Sequence, residues 1–124
     1  MARFERDPAP EGPIVRGFAD GGFAVADRIY PALLLTPLAA AEWSPPPLGV
    51  LGLADLESLL ALVPPPEFLI LGTGTRLTQP PRALRDALDR RGIGLEAMDS
   101  RAAARAWTLL RGEERWIAAA LMPL

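Results

Sequence analysis

The clearest pattern along the chain is an apolar run at residues 68–71 that stops abruptly at a glycine- and threonine-rich segment, residues 72–76. A continuous apolar run of this length predicts a strand that is buried on both faces. Beyond the polar segment, Pro80-Pro81 stands where the first turn of a helix tolerates proline. The pattern therefore predicts a buried strand that delivers its backbone to a surface loop, followed by a helix.

The remaining elements are predicted from the spacing of apolar residues and from the glycines and prolines that end helices and strands. Before this strand, the sequence predicts a hairpin of strands 14–18 and 23–26, a third strand at 30–36, an irregular segment at 39–47 and an amphipathic helix at 55–63. After it, the sequence predicts a helix at 82–91, a strand at 93–98, a helix at 99–111 and a last strand at 115–121. The element order is therefore β-β-β-α-β-α-β-α-β.

This order predicts an α/β domain. In the second half strands alternate with helices, which favours parallel strands joined by right-handed crossovers. The last strand is apolar on both faces, so we expect it at the centre of the sheet. We predict a three-layer fold, with a mixed central sheet flanked by helices and a small β-hairpin layer. Residues 1–12, which mix prolines with charges, are expected to form a flexible leader, and residues 13–124 a single domain.

The residue inventory limits the chemistry of the chain. It contains no Cys and no His, and all of its basic residues are Arg because Lys is also missing. These absences exclude disulfides, thiolate or imidazole metal sites, Cys or His nucleophiles and lysine Schiff bases. We expect no catalytic residue, no metal and no cofactor. Carboxylates, hydroxyls, arginines and backbone amides still leave the question of an enzyme open.

Charge and hydropathy limit the classes of partner and the cellular location that we expect for this protein. The formal net charge of −2 gives no general reason to bind nucleic acid. The first residues mix charges and lack the apolar core of a secretory signal. The most apolar stretch, residues 32–41, is far too short to span a bilayer. We expect a soluble, cytoplasmic protein that is not an integral membrane protein.

The loop after the buried strand is the best candidate for a binding site, because ligands of open α/β sheets bind beyond the carboxyl ends of the strands. Glycines let backbone N–H groups approach a ligand, threonines add hydroxyls, arginine adds positive charge, and the next helix start adds a positive dipole end. The candidate ligand-binding residues are Gly72, Thr73, Gly74, Thr75 and Arg76. The loop contains neither a P-loop nor a dinucleotide-binding motif. The alternative is that both glycines serve only the sharp turn.

Several segments, taken in order, resemble the Mth938-like family, a domain of unknown function. They are Phe68-Leu69-Ile70-Leu71-Gly72-Thr73-Gly74, residues 90–98, the Asp99-Ser100 helix start, and residues 104–110 and 115–123. The resemblance runs from residue 12 to the end and implies a three-layer fold with a mixed central sheet and a small β layer. It also implies kinship to a mitochondrial factor that assists assembly of respiratory complex I. Trp107-Thr108 departs from the family, which commonly has an aromatic residue followed by Asn. If that Asn lines a pocket in relatives, the polar contacts of the pocket differ here.

Three functions stay open at this point. The first is a non-enzymatic binding or assembly factor with a protein partner, assisting a respiratory or membrane-associated complex. The second is a binding protein or enzyme that takes a small anion or metabolite at residues 72–76. The third is a structural scaffold whose oligomer carries the role. Kinship within a family does not choose among them, because relatives can share only a scaffold.

Overall fold

The secondary structure is described for residues 12–124 of this computed structural model. The strands are β1 (Gly17–Ala19), β2 (Gly22–Val25), β3 (Arg28–Tyr30), β4 (Leu33–Leu35), β5 (Ala40–Glu42), β6 (Phe68–Gly72), β7 (Gly94–Met98) and β8 (Ala118–Leu121). The helices are α1 (Glu57–Leu60), α2 (Arg82–Arg90) and α3 (Ser100–Gly112), with short 3-10 turns at Leu48–Val50 and Leu53–Leu56. The leader expected at residues 1–12 lies outside the described residues, apart from Gly12.

Two sheets organise these elements. β1, β2 and β3 form a three-stranded antiparallel sheet, and the other five strands form a sheet in the order β5-β4-β8-β6-β7. In the larger sheet β6 is parallel to β7 and β8, whereas β4 is antiparallel to β5 and β8. The central sheet is therefore mixed and β8 lies in its middle, which confirms the prediction from the sequence.

Both faces of the central sheet are buried, and this produces three layers. Side chains alternate along β6, because successive residues of a strand point to opposite faces. Ile70 packs in a cluster with α3 and the three-stranded sheet. Leu69 and Leu71 pack in a second cluster with α1, α2 and the 3-10 turns. The three-layer α/β fold is thus confirmed, and its small β layer has three strands rather than a hairpin alone.

The strand expected at residues 30–36 is in fact two strands in different sheets. β3 ends at Tyr30 and β4 begins at Leu33. Pro31 lies between them and lacks the N–H group that a continuous ladder requires. The chain therefore leaves the small sheet at this proline and enters the central one.

The segment expected to be irregular at 39–47 contains the edge strand β5. A turn returns the chain from β4 to β5, and the hydroxyl of Thr36 closes it by accepting the N–H groups of Leu38 at 3.2 Å and Ala39 at 3.1 Å. β5 contains two alanines and a glutamate. These residue types have low strand propensity, so its sequence gave no strand signal.

The helix expected at residues 55–63 is shorter than its apolar pattern indicates. Leu56 departs from helical backbone angles, with φ −114° and ψ 12°. A 3-10 turn therefore ends at this residue, and only four residues of α-helix follow it. Leu56 and Leu59 are nevertheless fully buried against the sheet, as their spacing predicted, whereas Val63 at the end of the expected helix is 84% exposed.

Candidate functional site

The candidate loop lies at the carboxyl end of β6, beside the ends of the two strands parallel to it. Gly72, the last residue of β6, pairs with Met98 at the end of β7 and with Leu121 at the end of β8. Thr73 continues the contact, because its N–H donates to the carbonyl oxygen of Met98 at 2.8 Å. The loop therefore occupies the edge at which open α/β sheets bind ligands.

Gly72 is required by packing. A Cβ atom added there would lie 2.8 Å from Oγ of Ser100, 2.9 Å from its Cα and 3.0 Å from Cδ2 of Leu121. Carbon atoms in van der Waals contact are separated by about 3.5–4.0 Å. The absence of a side chain at this position lets the start of α3 lie directly against the end of β6.

Ser100, the first residue of α3, is fully buried and joins three segments of the chain. Its hydroxyl accepts the N–H of Gly74 at 2.8 Å and donates to the carbonyl of Met122 at 2.7 Å. The N–H of Ser100 donates back to the carbonyl of Gly74 at 2.8 Å. Gly74 has φ +107°, which other residues rarely adopt. The second glycine thus serves the turn, and both of its backbone groups are hydrogen-bonded within the protein.

The hydroxyl of Thr73 folds the rest of the loop onto itself. It accepts the N–H of Thr78 at 3.1 Å and lies 2.7 Å from the carbonyl oxygen of Arg76 and 3.2 Å from that of Met98. A hydroxyl has only one proton, so the two carbonyls share it. Both the backbone N–H and the hydroxyl of Thr73 are therefore used inside the protein.

Thr75 and Arg76 are the exposed side chains of the loop, and neither is hydrogen-bonded within residues 12–124. The two helix starts nearby offer few free N–H groups to an anion. Pro81, at the N-cap of α2, lacks an N–H group. At the start of α3, the carboxylate of Asp99 accepts the N–H of Ala102 at 2.9 Å. The anion site expected from the sequence therefore rests on the Thr75 hydroxyl and the Arg76 guanidinium. It stays a prediction.

An ion pair lies at the other end of these strands, away from the loop. The guanidinium of Arg115 donates to the carboxylate of Glu67 at 2.7 Å. This hydrogen bond, reinforced by electrostatic attraction to the same carboxylate, raises the pKa of Arg115 above its ordinary value. The two residues precede β8 and β6, so the pair links the amino ends of these strands and takes no part in the loop.

A concave surface, which the sequence analysis did not find, lies between β1 and α3. We call it the β1–α3 groove; its volume is about 420 Å³. It is lined by Val15, Arg16, Gly17, Phe18, Ala104, Arg105, Thr108 and Leu109. One signal in the sequence was available: Arg101, Arg105 and Leu109 recur at intervals of four and form an exposed stripe along α3.

Trp107 and Thr108 fix one wall of this groove by attaching the segment before β1 to α3. The indole N–H of the buried Trp107 donates to the carbonyl of Pro13 at 3.0 Å. The hydroxyl of Thr108 accepts the N–H of Val15 at 3.1 Å and donates to its carbonyl at 3.1 Å. These are the polar contacts at the position where the resemblance implies Asn in relatives.

Thr108→Val is expected to lower the free energy of unfolding by about 1 kcal/mol, because the nearly isosteric side chain leaves both backbone groups of Val15 without their partner. Urea denaturation monitored by circular dichroism measures the change. Thr78→Val is the matched control, since the exposed hydroxyl of Thr78 makes no hydrogen bond within the described residues. Equal stabilities of the two variants would contradict a holding role for Thr108.

Residues 12–124 contain neither a metal-binding cluster nor a membrane-spanning helix. No cluster of three or more acidic side chains that could hold a metal ion was found there. No helix in that range has the length and apolarity needed to cross a membrane.

Comparison with known proteins places the chain in a family. A model of the family described as protein of unknown function (DUF498/DUF598) matches residues 15–122, which include both the loop and the groove. The chain belongs to this family. One similar protein is an uncharacterized protein of Rhodobacter capsulatus, which is 31% identical over 121 residues, covering 96% of this chain and 92% of the relative.

Two further family comparisons bear on fold and role. The Danio rerio protein named NADH dehydrogenase (ubiquinone) 1 alpha subcomplex assembly factor 3 is 28% identical over 116 residues, covering 93% of this chain and 67% of that protein. The solution NMR structure of a Bordetella pertussis protein described as a Mth938-like domain matches with a TM-score of 0.74 and 25% identity, over 99% of this chain and 92% of the other. The Mth938-like resemblance found in the sequence is thereby confirmed.

Proposed function

We propose that this protein is a non-enzymatic binding protein that assists the assembly of a respiratory or other membrane-associated complex, acting in the cytoplasm through a protein partner. The observation that carries the proposal is the similarity to the Danio rerio assembly factor over 93% of the chain. The family match at residues 15–122 extends across the whole central sheet and the groove. The similarity therefore includes surfaces on which a partner could bind.

The chemistry of the loop supports binding over a reaction. Ser100 has a buried hydroxyl, but that hydroxyl is already engaged by Gly74 and Met122. The chain contains no His, Cys or Lys that would activate a hydroxyl or act as a nucleophile itself. The carboxylate of Asp99, the nearest acid in sequence, caps α3. Each polar group of this cluster thus has a structural partner.

Affinity capture from the native host tests the assembly role. We expect the tagged protein, recovered after gentle lysis, to enrich subunits of a respiratory or another membrane-associated complex over an unrelated tagged protein of similar size. The capture is done without amine-reactive cross-linkers, because the chain has no Lys side chain with which they could react. Recovery of no such subunit would contradict the proposal.

A second candidate function is binding of a small anion at residues 72–76. The observation that favours it is the pair of exposed side chains Thr75 and Arg76 at the carboxyl edge of parallel strands. A phosphate or carboxylate would accept hydrogen bonds from the hydroxyl and from the planar guanidinium, whose paired N–H donors match two oxygens of either anion.

Arg76→Ala is expected to abolish stabilisation of the protein by such an anion. A ligand at about ten times its dissociation constant stabilises the folded state by about 1.4 kcal/mol, which raises the melting temperature by a few degrees. Thermal shift with inorganic phosphate and a panel of phosphorylated and carboxylate metabolites measures this on wild type, Arg76→Ala and the control Arg82→Ala. The site is refuted when no compound stabilises wild type, or when Arg76→Ala responds as wild type does.

A further inference from the structure

The β1–α3 groove has an apolar floor that residues 12–124 leave open. Val15, Phe18 and Ala104 lie along it, and Leu109 stands at its rim with 66% of its surface exposed. Its volume of about 420 Å³ lies within the range of about 300–1,000 Å³ that is typical of sites for small ligands. Such a groove accommodates a few side chains of a partner rather than a whole protein face.

The charged residues described at the rim of the groove are all positive. Arg16 and Arg105 line it, and the guanidinium of Arg101 lies over the ring of Phe18, 4.8 Å from the ring centroid. No carboxylate is among its described lining residues, and none of the three arginines forms an ion pair within residues 12–124. The chain as a whole has a net charge of −2, so these arginines are a local concentration of positive charge that no described carboxylate neutralises. Its electrostatic complement is a carboxylate-bearing ligand.

The walls of the groove are held before any ligand arrives. Thr108 hydrogen-bonds both backbone groups of Val15 on one side. On the other side the ring of Phe18 packs edge-on against buried Phe23, with ring centroids 6.0 Å apart. A preorganised site binds more tightly, because less conformational entropy is lost on binding.

We propose that the β1–α3 groove docks a segment of the protein partner in which apolar side chains are flanked by Asp or Glu. The apolar side chains would lie on Phe18 and Leu109, and the carboxylates would pair with Arg16, Arg101 and Arg105. The inference rests on the proposed function, because it names the surface and the chemistry by which the assembly partner is recognised.

Three synthetic helix-forming peptides of equal length are the probes. One alternates Leu at helical spacing with Glu, the second replaces every Glu with Lys, and the third keeps Glu but replaces every Leu with Ser. Titrated into the ¹⁵N-labelled full chain, the Leu–Glu peptide is expected to shift the amides of β1 and of residues 104–109. The other two are expected to bind at least about tenfold more weakly, since each lacks one half of the complementarity. Equal binding of all three, shifts elsewhere on the protein, or no binding would overturn the proposal.

Two surface variants and one control distinguish the contribution of charge to peptide binding from that of apolar contact. Arg105→Glu is expected to weaken the Leu–Glu peptide by about five- to tenfold and to strengthen the Leu–Lys peptide, whereas Leu109→Ser weakens both. Arg82→Glu, an exposed reversal on α2, is expected to change neither. All three positions are exposed, so unchanged melting temperatures verify that the fold is intact. A uniform loss in Arg105→Glu for both peptides would show that charge does not select the ligand.

A site-specific cross-link separates this inference from the assembly role. The chain has no Cys, so Leu109→Cys carries a unique thiol for a benzophenone maleimide, with Ala83→Cys on the exposed face of α2 as control. In host lysate, cross-linking from position 109 alone to an apolar segment rich in Asp or Glu supports the inference. Capture of the partner by wild type with no cross-link from position 109 refutes the groove but leaves the assembly role standing. A second copy of the chain cross-linked at this position would refute the inference in favour of self-association.

Discussion

Gly72→Ala is expected to lower the free energy of unfolding by about 3 kcal/mol, because overpacking a close contact typically costs about 1–3 kcal/mol and two of the three clashes here are severe. The added methyl group would meet both Oγ and Cα of Ser100 within 3.0 Å, and Cδ2 of Leu121 at 3.0 Å. The Leu121 side chain can rotate, but the Cα of Ser100 moves only if the start of α3 moves. The melting temperature should fall by about 10 °C for a domain of this size.

Two comparisons make this prediction specific. Gly49→Ala is the matched control, since a Cβ there meets nothing within 4 Å and the melting temperature should hardly change. Adding Ser100→Ala to Gly72→Ala should not restore stability, because the clash with the Cα of Ser100 remains after its hydroxyl is removed. A Gly72→Ala protein as stable as Gly49→Ala would mean that α3 is not held against β6 as closely as described.

Ser100→Ala is expected to lower the free energy of unfolding by about 2–4 kcal/mol, because it leaves two buried backbone groups unpaired at about 1–3 kcal/mol each. These are the N–H of Gly74 and the carbonyl of Met122, which the hydroxyl now joins at 2.8 Å and 2.7 Å. Urea denaturation measures the stability. Hydrogen exchange should show faster exchange at the Gly74 amide in the variant.

The control for Ser100→Ala is Ser58→Ala in α1, where the side chain is exposed and unbonded within residues 12–124. That change should be neutral or slightly stabilising, because Ala has the higher helix propensity. Slow exchange at Gly74 in Ser100→Ala would contradict the role assigned to the hydroxyl, even if the stability fell for another reason.

The two variants test the contacts that hold the loop at residues 72–76 in place. Gly72 permits close packing, Gly74 adopts a left-handed turn, and Ser100 ties the turn to the segment after β8. The same loop exposes Thr75 and Arg76, the two side chains that the proposed anion site uses. Structure and binding therefore depend on different residues of one short segment.

The central part of the fold was predictable from local pattern. The continuous apolar runs of β6 and β8 require burial on both faces, and only interior strands of a sheet covered on both sides provide it. The first half was less predictable. β5 has no local strand signal and forms because β4 is already in place, while one proline divides an apolar run between two sheets.

Residue spacing within short segments was enough to predict the α/β class, the mixed sheet with β8 in its middle and the position of the loop at the end of β6. Which loop groups remain accessible depends instead on contacts between distant segments, since Ser100 reaches Gly74 from 26 residues away. Contacts between distant segments also form the groove, whose wall joins Val15 to Thr108 across 93 residues. A hydrogen bond or a concave surface between distant segments leaves no periodicity in the chain, because each half is determined by its own local packing.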